Sequence, residues 1–251
     1  MTLKEILDII IKLSQDENIS TTYICGGIPR DKLLHKITDK ITDIDLTNGD
    51  KSISLVADKL YDILSENYKI KIRTNNDGHK AINIGNLKID FSSNFIIPDI
   101  DKILLNIGIK NPTNILRETY SRDFTCNSLL MPLDVKKIID PTNQGIKDIN
   151  NKIIKTILSP DITLKYNPSR IPRLIYLAAK LDFKIDQPII DWVKNNTYYL
   201  TYVPKDMISK KIEKALEINP DIATYYINKM DMWKRIPITN NIYPFFVKNK
   251  T

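Results

Sequence analysis

Two aspartates, Asp43 and Asp45, stand two residues apart in an apolar run, and a glycine pair, Gly26-Gly27, closes the run before it. On a strand, residues i and i+2 point to the same face. Two carboxylates so placed suit a hard divalent cation such as Mg²⁺, which takes oxygen ligands and shares them with substrate phosphates. Glycine lets the backbone approach a ligand closely. With 7 glycines in 251 residues, an adjacent pair is a poor candidate for filler. Arg30 and Asp31 follow the pair, and arginine offers planar, bidentate donors to phosphate. The expected chemistry is a phosphate cradle beside a metal site, acting on a nucleotide. Asp90, closing the run Leu87-Lys88-Ile89-Asp90, is the candidate third metal ligand, with strand capping as its alternative role. Asp-x-Asp alone is common on the surface of a chain with 30 acidic residues, so its weight here comes from the glycines and the strand context.

These residues need elements to hold them. Leu3, Ile6, Leu7, Ile10 and Leu13 recur at helical spacing, so a helix is expected over residues 3–13. Residues 22–25 read as a short buried strand, 31–36 as a short helix and 43–47 as the second strand. Asn48-Gly49-Asp50 is a turn. Residues 54–64 are amphipathic again. Strands are expected at 68–72, 80–84 and 87–91, the last two joined at Gly85-Asn86. Residues 113–129 read as mostly helical and 135–139 as a short strand. From residue 148 onward the glycines stop and the apolar spacing is helical, with Ile171, Leu174, Ile175, Ala178 and Leu181 on one face and further helices over 187–195, 205–217 and 220–229. The expected fold is α+β: a head of mixed sheet and helices over residues 1–148, then a small all-helical part over 149–251.

Composition narrows the partners. A net charge of +7 and a pI near 9.1 favour polyanions, nucleic acid first. No apolar run approaches the roughly 18 residues of a membrane span. The first residues read as a helix rather than a signal or transit peptide, so a cytoplasmic protein is expected. Cys25 and Cys126 read as small buried thiols. His35 and His79 lack metal-ligand spacing and read as surface or structural residues.

Several motifs, in one order, resemble those of bacterial-type tRNA nucleotidyltransferases (CCA-adding enzymes) and poly(A) polymerases. Gly26-Gly27-Ile28-Pro29-Arg30-Asp31-Lys32-Leu33 with Asp43-Ile44-Asp45 is similar to the family's Gly-Gly-x-x-Arg-Asp-x-Leu and Asp-x-Asp. Ser121-Arg122-Asp123-Phe124-Thr125-Cys126-Asn127-Ser128 is similar to its Arg-Arg-Asp-Phe-Thr-x-Asn-Ser. Asp140-Pro141 with Gly145 and Asp148 resembles another segment. Arg170-Ile171-Pro172-Arg173 with Ala178-Ala179-Lys180-Leu181-Asp182-Phe183 resembles the helix Arg-x-x-Arg-x-x-x-x-Ala-Ala-Arg-Leu-Gly-Phe. The likeness covers residues 20–186. It implies a polymerase-β-like nucleotidyltransferase head followed by a helical neck and body. It implies that Asp43 and Asp45 hold Mg²⁺ and carry catalysis, and that Gly26, Gly27 and Arg30 position the triphosphate. Arg122, Asp123 and Asn127 would bind or order the nucleotide, Arg170 would meet the base, and Arg173 the phosphates or the helix packing. The implied partners are NTPs (ATP, with CTP) and an RNA 3′ end, tRNA first. The implied reaction is template-independent NMP transfer to that end, as tRNA CCA addition or repair. Poly(A) or oligo(A) addition and a non-catalytic RNA-binding relative are the alternatives.

The sequence departs from the pattern where the base is read. The family's helix opens Glu-Asp-Pro-x-Arg, and here the residues are Tyr166-Asn167-Pro168-Ser169-Arg170. Asn167 could instead cap a helix with Pro168 at its first position. Pro172 fits only if that helix starts near Ser169, since deeper inside it would delete a hydrogen bond. The chain beyond residue 186 is shorter than a full body and tail. It interleaves Lys205, Lys210, Lys211, Lys214, Lys229, Lys234 and Arg235 with tyrosines and tryptophans, a mixture that can grip RNA or simply solvate a helical core.

Overall fold

The structure is a computed structural model describing residues 2–16, 18–36, 41–75, 78–92 and 96–248. The chain forms two compact units: Met1–Arg122 with Asn127–Ile146, and Asp123–Cys126 with Lys147–Thr251.

The first unit is a six-stranded mixed sheet with helices. In chain order it has α1 (Leu3–Leu13), β1 (Tyr23–Cys25), α2 (Gly27–Leu33), β2 (Asp43–Thr47), α3 (Ile53–Ser65), β3 (Ile70–Thr74), β4 (Lys80–Ile84), β5 (Leu87–Phe91), α4 (Ile100–Asn106), α5 (Asn114–Ser121) and β6 (Met131–Pro132). The strand order is β3-β4-β5-β2-β1-β6. β2 and β5 run parallel and the other neighbours antiparallel. Alternation along β2 sends Ile44 and Leu46 into the core with Ile24, Ile89 and Phe91, against Ile6, Leu7 and Ile10 of α1 and Val56 and Leu60 of α3. The same alternation leaves Asp43 and Asp45 on the opposite face. A capping box fixes the start of α1: the Thr2 hydroxyl accepts from Glu5 N–H while the Glu5 carboxylate accepts from Thr2 N–H. Gly49, at φ +85°, ends β2 where a Cβ would come within 2.5 Å of the Ile115 nitrogen, so no larger residue fits beneath α5.

Four sequence expectations need correction. The helix expected over 31–36 begins earlier, at Gly27, so Arg30 lies inside it. The strand expected at 68–72 sits two residues later, where Ile70 pairs with Ile84. The helix expected over 113–129 stops at Ser121. The hydroxyls of Thr119 and Ser121 bond back to the carbonyls of Ile115 and Arg117, which weakens a last turn. Arg122 then turns extended, and a single 3-10 turn covers Thr125–Asn127. The strand expected over 135–139 is absent: Val135 lies at φ +53° in a turn, and only Ile139 pairs, as an isolated bridge with Leu130.

The chain leaves the first unit within α6 (Gly145–Asn150). The second unit contains β7 (Ile153–Ile154), α7 (Pro160–Tyr166), α8 (Arg170–Leu181), β8 (Lys184–Ile185), α9 (Gln187–Asn195), α10 (Lys205–Ile218), α11 (Pro220–Lys229) and α12 (Tyr243–Lys248). β7 and β8 form a short parallel pair, so this part is not purely helical. α8 is buried on nearly every side and packs against α10 and α11. Ser169 is its N-cap residue, which puts Pro172 in the first turn, where a missing N–H removes no intrahelical bond. Asn167 closes α7 instead of capping α8. Residues 123–126 join this unit: Thr125 N–H donates to the Lys155 carbonyl at 2.9 Å and its hydroxyl to Asp148 at 2.8 Å.

Candidate active site

The first unit gathers most of the residues singled out by chemistry. β1 and β5 flank β2, so Asp45 faces Cys25 on one side and Asp90 on the other, while Asp43 faces Lys88. Gly26 connects β1 to α2 at φ +72° and ψ −126°, a region that L side chains avoid. A Cβ there would lie 2.5 Å from Asp45 Oδ2. Gly26 is therefore glycine for two reasons, its conformation and the carboxylate against it.

One turn along α2, Arg30 is buried at 2% exposure. Its guanidinium pairs with Asp31 at 2.7 Å and donates to the Asn127 side-chain oxygen. Gly27 lies beneath it, where a Cβ would come within 3.2 Å of Arg30 Nη2. Gly27, Arg30, Asp31 and Asn127 thus form one cluster.

A second buried network lies beside the first. The Arg122 Nη2 donates to Glu118 and, at 3.2 Å, to Cys25 Sγ. Glu118, nearly fully buried, also accepts from the Thr47 hydroxyl. Cys25 in turn donates to the Asp45 backbone carbonyl at 3.4 Å. Burial works against charge on Arg122, yet Cys25 and Glu118 beside it hold its pKa above the ordinary arginine value. Burial pushes the Cys25 thiol up to about 12, against the pull of the Arg122 guanidinium. The Arg122 Nε is a buried donor with no hydrogen-bond partner among the described residues. Both cysteines are buried, and neither forms a disulfide. Glu118 escaped the sequence reading, although its spacing four residues before Arg122 on a helix was a signal for a pair.

The donor set of Asp43 and Asp45 fits a divalent cation: carboxylate oxygens on one strand face, with a cation already drawn to them. That cation is Lys88, whose ammonium bonds Asp90 and lies 3.9 Å from Asp43 Oδ1. Burial alone would lower the Lys88 pKa, but Asp90, Asp43 and Asp45 together raise it. Asp90 faces Asp45 yet is engaged by Lys88, and among the described residues no three His, Cys, Asp or Glu side chains converge as a metal cluster.

The remaining site residues belong to the second unit. Asp123 pairs with Arg173 at 2.6 Å, and its carboxylate also caps the Phe124 N–H. Arg170 is buried rather than solvated. It is 6% exposed and donates to the Thr163 carbonyl at 3.1 Å. The Asn167 side-chain oxygen accepts from the N–H and hydroxyl of Ser169, so it is spent on the local turn, while Tyr166 is exposed. Along α8 and α10 the Tyr176 ring lies 5.9 Å from the Lys180 ammonium and 5.0 Å from that of Lys211. Burial, then Arg173, Lys214 and Lys180, hold Lys211 below its ordinary pKa. That is a cluster of cations sharing one surface.

A mixed sheet in which a glycine turn and paired aspartates meet on one face suits a phosphate beside a divalent cation. Residues 22–155 match the poly A polymerase head domain, and the chain belongs to that family. It is similar to two tRNA nucleotidyltransferases of Schizosaccharomyces pombe. One is 27% identical over 230 residues, 86% of this chain and 47% of the relative. The other is 28% identical over 258 residues, 92% and 49%. The chain thus spans about half the length of the curated relatives it matches. In fold it resembles the Bacillus stearothermophilus CCA-adding enzyme in complex with CTP, with a TM-score of 0.71 at 19% identity over 94% of this chain and 55% of that one. The Thermotoga maritima CCA-adding enzyme complexed with tRNA gives 0.69 at 23% identity over 94% and 53%. No helix among the described residues is long and apolar enough to cross a membrane.

Proposed function

We propose that this protein transfers NMP from an NTP to an RNA 3′ hydroxyl, releasing pyrophosphate, with the 3′ end of tRNA as acceptor in CCA addition or repair. The observation that carries this reading is the packing of the Gly26 backbone against the Asp45 carboxylate, on the strand face that also bears Asp43. Asp43 and Asp45 are the ligands assigned to Mg²⁺, with Asp90 as the third. When bound, the ion would activate the attacking hydroxyl and neutralise charge on the phosphates.

The protein's own residues do the rest. Gly26 and Gly27 admit the Asp45 carboxylate and the Arg30 guanidinium against the backbone, and with Arg30, oriented by Asp31 and Asn127, they are assigned to the triphosphate. Arg122, kept charged by Glu118, retains an unused Nε donor for a nucleotide oxygen. Asp123 orients Arg173, and Arg170, buried with the Thr163 carbonyl as a partner, is assigned to the base. The cations around Tyr176 suit an RNA backbone. Residues 1–148 are assigned as the transferase head and 149–251 as neck and body. Two buried thiols outside any disulfide fit a reducing compartment and hence a cytoplasmic site of action.

One observation favours a second reading, poly(A) or oligo(A) addition. Asn167 is bound to its own turn and no carboxylate stands at Tyr166-Asn167, so base selection differs from the Glu-Asp pattern. The test for both is extension of a tRNA lacking its 3′ end, with each NTP separately and then combined. CCA addition gives a product of fixed length that needs both CTP and ATP. An A-only ladder supports the second reading, and no incorporation with any NTP contradicts both.

A further inference from the structure

Lys88 has no part in the reaction just described, yet it stands on the face that should receive the metal. It is the register partner of Asp43 across β2 and β5, as Asp90 is of Asp45. The four side chains therefore form a two-by-two array, three carboxylates and one ammonium. The ammonium does not extend away into solvent. It bonds Asp90 and reaches to 3.9 Å from Asp43, although its side chain is 47% exposed and free to take other directions. Carboxylates on adjacent strands repel, and a cation between them relieves that repulsion. A divalent ion needs the same oxygens. Lysine is a compact point charge on a flexible stem, so it can leave without disturbing the strand.

We propose that Lys88 is a built-in counter-cation of the aspartate face. It holds the carboxylates together in the ion-free protein and is exchanged for the divalent ion on loading, so it sets the site's ion affinity. This rests on the reading of Asp43 and Asp45 as ion ligands. Exchange means that the ion enters against a resident charge, which weakens uptake. It also means that the ion-free face stays folded.

The test needs no turnover. Mn²⁺ is titrated into the full chain without nucleotide, following free Mn²⁺ by electron paramagnetic resonance, for wild type, Lys88→Met, Lys88→Gln and Lys88→Arg. Removing one positive charge at this range is expected to tighten Mn²⁺ binding about tenfold in Lys88→Met and Lys88→Gln. Lys88→Arg should stay near wild type. The ion-free neutral variants should also melt lower than wild type and gain more in Tm on adding Mn²⁺. Equal affinity in wild type and both neutral variants overturns the exchange and leaves the ion site standing. Weaker binding in the neutral variants overturns it as well, since Lys88 would then be assisting the ligands. No Mn²⁺ uptake by any of the proteins overturns the ion site itself, and the exchange with it.

Discussion

The aspartate face of the first unit and the arginine helix of the second are built in opposite ways. Asp43 and Asp45 take their positions from a strand's alternation and from one glycine, all within a short stretch of chain. Arg170 and Arg173 share a helix but have opposite surroundings. Arg170 is buried against a carbonyl of α7, while Arg173 is about half exposed and held by Asp123. The comparison teaches that the acidic site is set by alternation along one strand, whereas each cation on the buried helix depends on a partner outside that helix, Thr163 for Arg170 and Asp123 for Arg173. Substitutions of the two aspartates should act on chemistry with little effect on folding, provided the glycine turn and the buried network behind them are left intact.

That proviso gives the largest expected stability effect. Glu118→Ala leaves Arg122 charged and without its counter-ion, and breaking such a buried pair costs roughly 3–5 kcal/mol. Urea unfolding should show it, and a loss within experimental error of zero would remove Glu118 from the support of the site. Gly26→Ala comes next. Its Cβ would press on Asp45 from a backbone conformation that costs about 1–3 kcal/mol for a side chain. Nucleotide incorporation should fall along with stability, and a fully active, fully stable variant would show that the close approach is unnecessary.

The two arginines sharpen the contrast further. Arg170→Met should lower stability, because the Thr163 carbonyl loses its partner in a buried place. Arg173→Gln should leave the melting temperature near wild type and raise the KM for NTP. The opposite pattern would exchange their roles. The smallest effect is alkaline. The Cys25 thiol is raised to about 12 from an ordinary 9.0. The folded protein therefore keeps that proton where the unfolded chain loses it. Cys25's contribution to stability is full below pH 9 and is lost as pH rises from about 9 toward 12. Unfolding of Cys25→Ala should show a shallower decline over that range than wild type, and identical slopes would place the thiol in contact with water.

The same contrast explains what the sequence disclosed. β2, β4 and β5 were legible because period-two alternation and turn residues are local signals, and the glycine pair declared itself by rarity. Residues 113–129 misled because Leu116, Tyr120 and Phe124 are apolar at i, i+4 spacing, yet the helix ends at Ser121 and Phe124 is buried beside a 3-10 turn. Val135 misled because β-branched residues suggest a strand, while its positive φ is imposed by the preceding turn. The burial of Arg170 was not legible because a helical wheel shows spacing only. Its neighbour, the Thr163 carbonyl, comes from α7 and has no signature in the sequence around Arg170. Lys88 was overlooked for a different reason: it reads as an ordinary strand lysine until the register sets it opposite Asp43.

The central claim is that the face bearing Asp43 and Asp45 performs nucleotidyl transfer. The direct measurement is single-turnover incorporation of labelled NMP into a tRNA lacking its 3′ end, with Mg²⁺, comparing wild type with Asp45→Asn. Wild type should extend the RNA. Asp45→Asn should be slower by about 10³-fold, the scale for losing one group that stabilises transition-state charge, with its melting temperature kept. Equal rates in the two proteins would contradict the account.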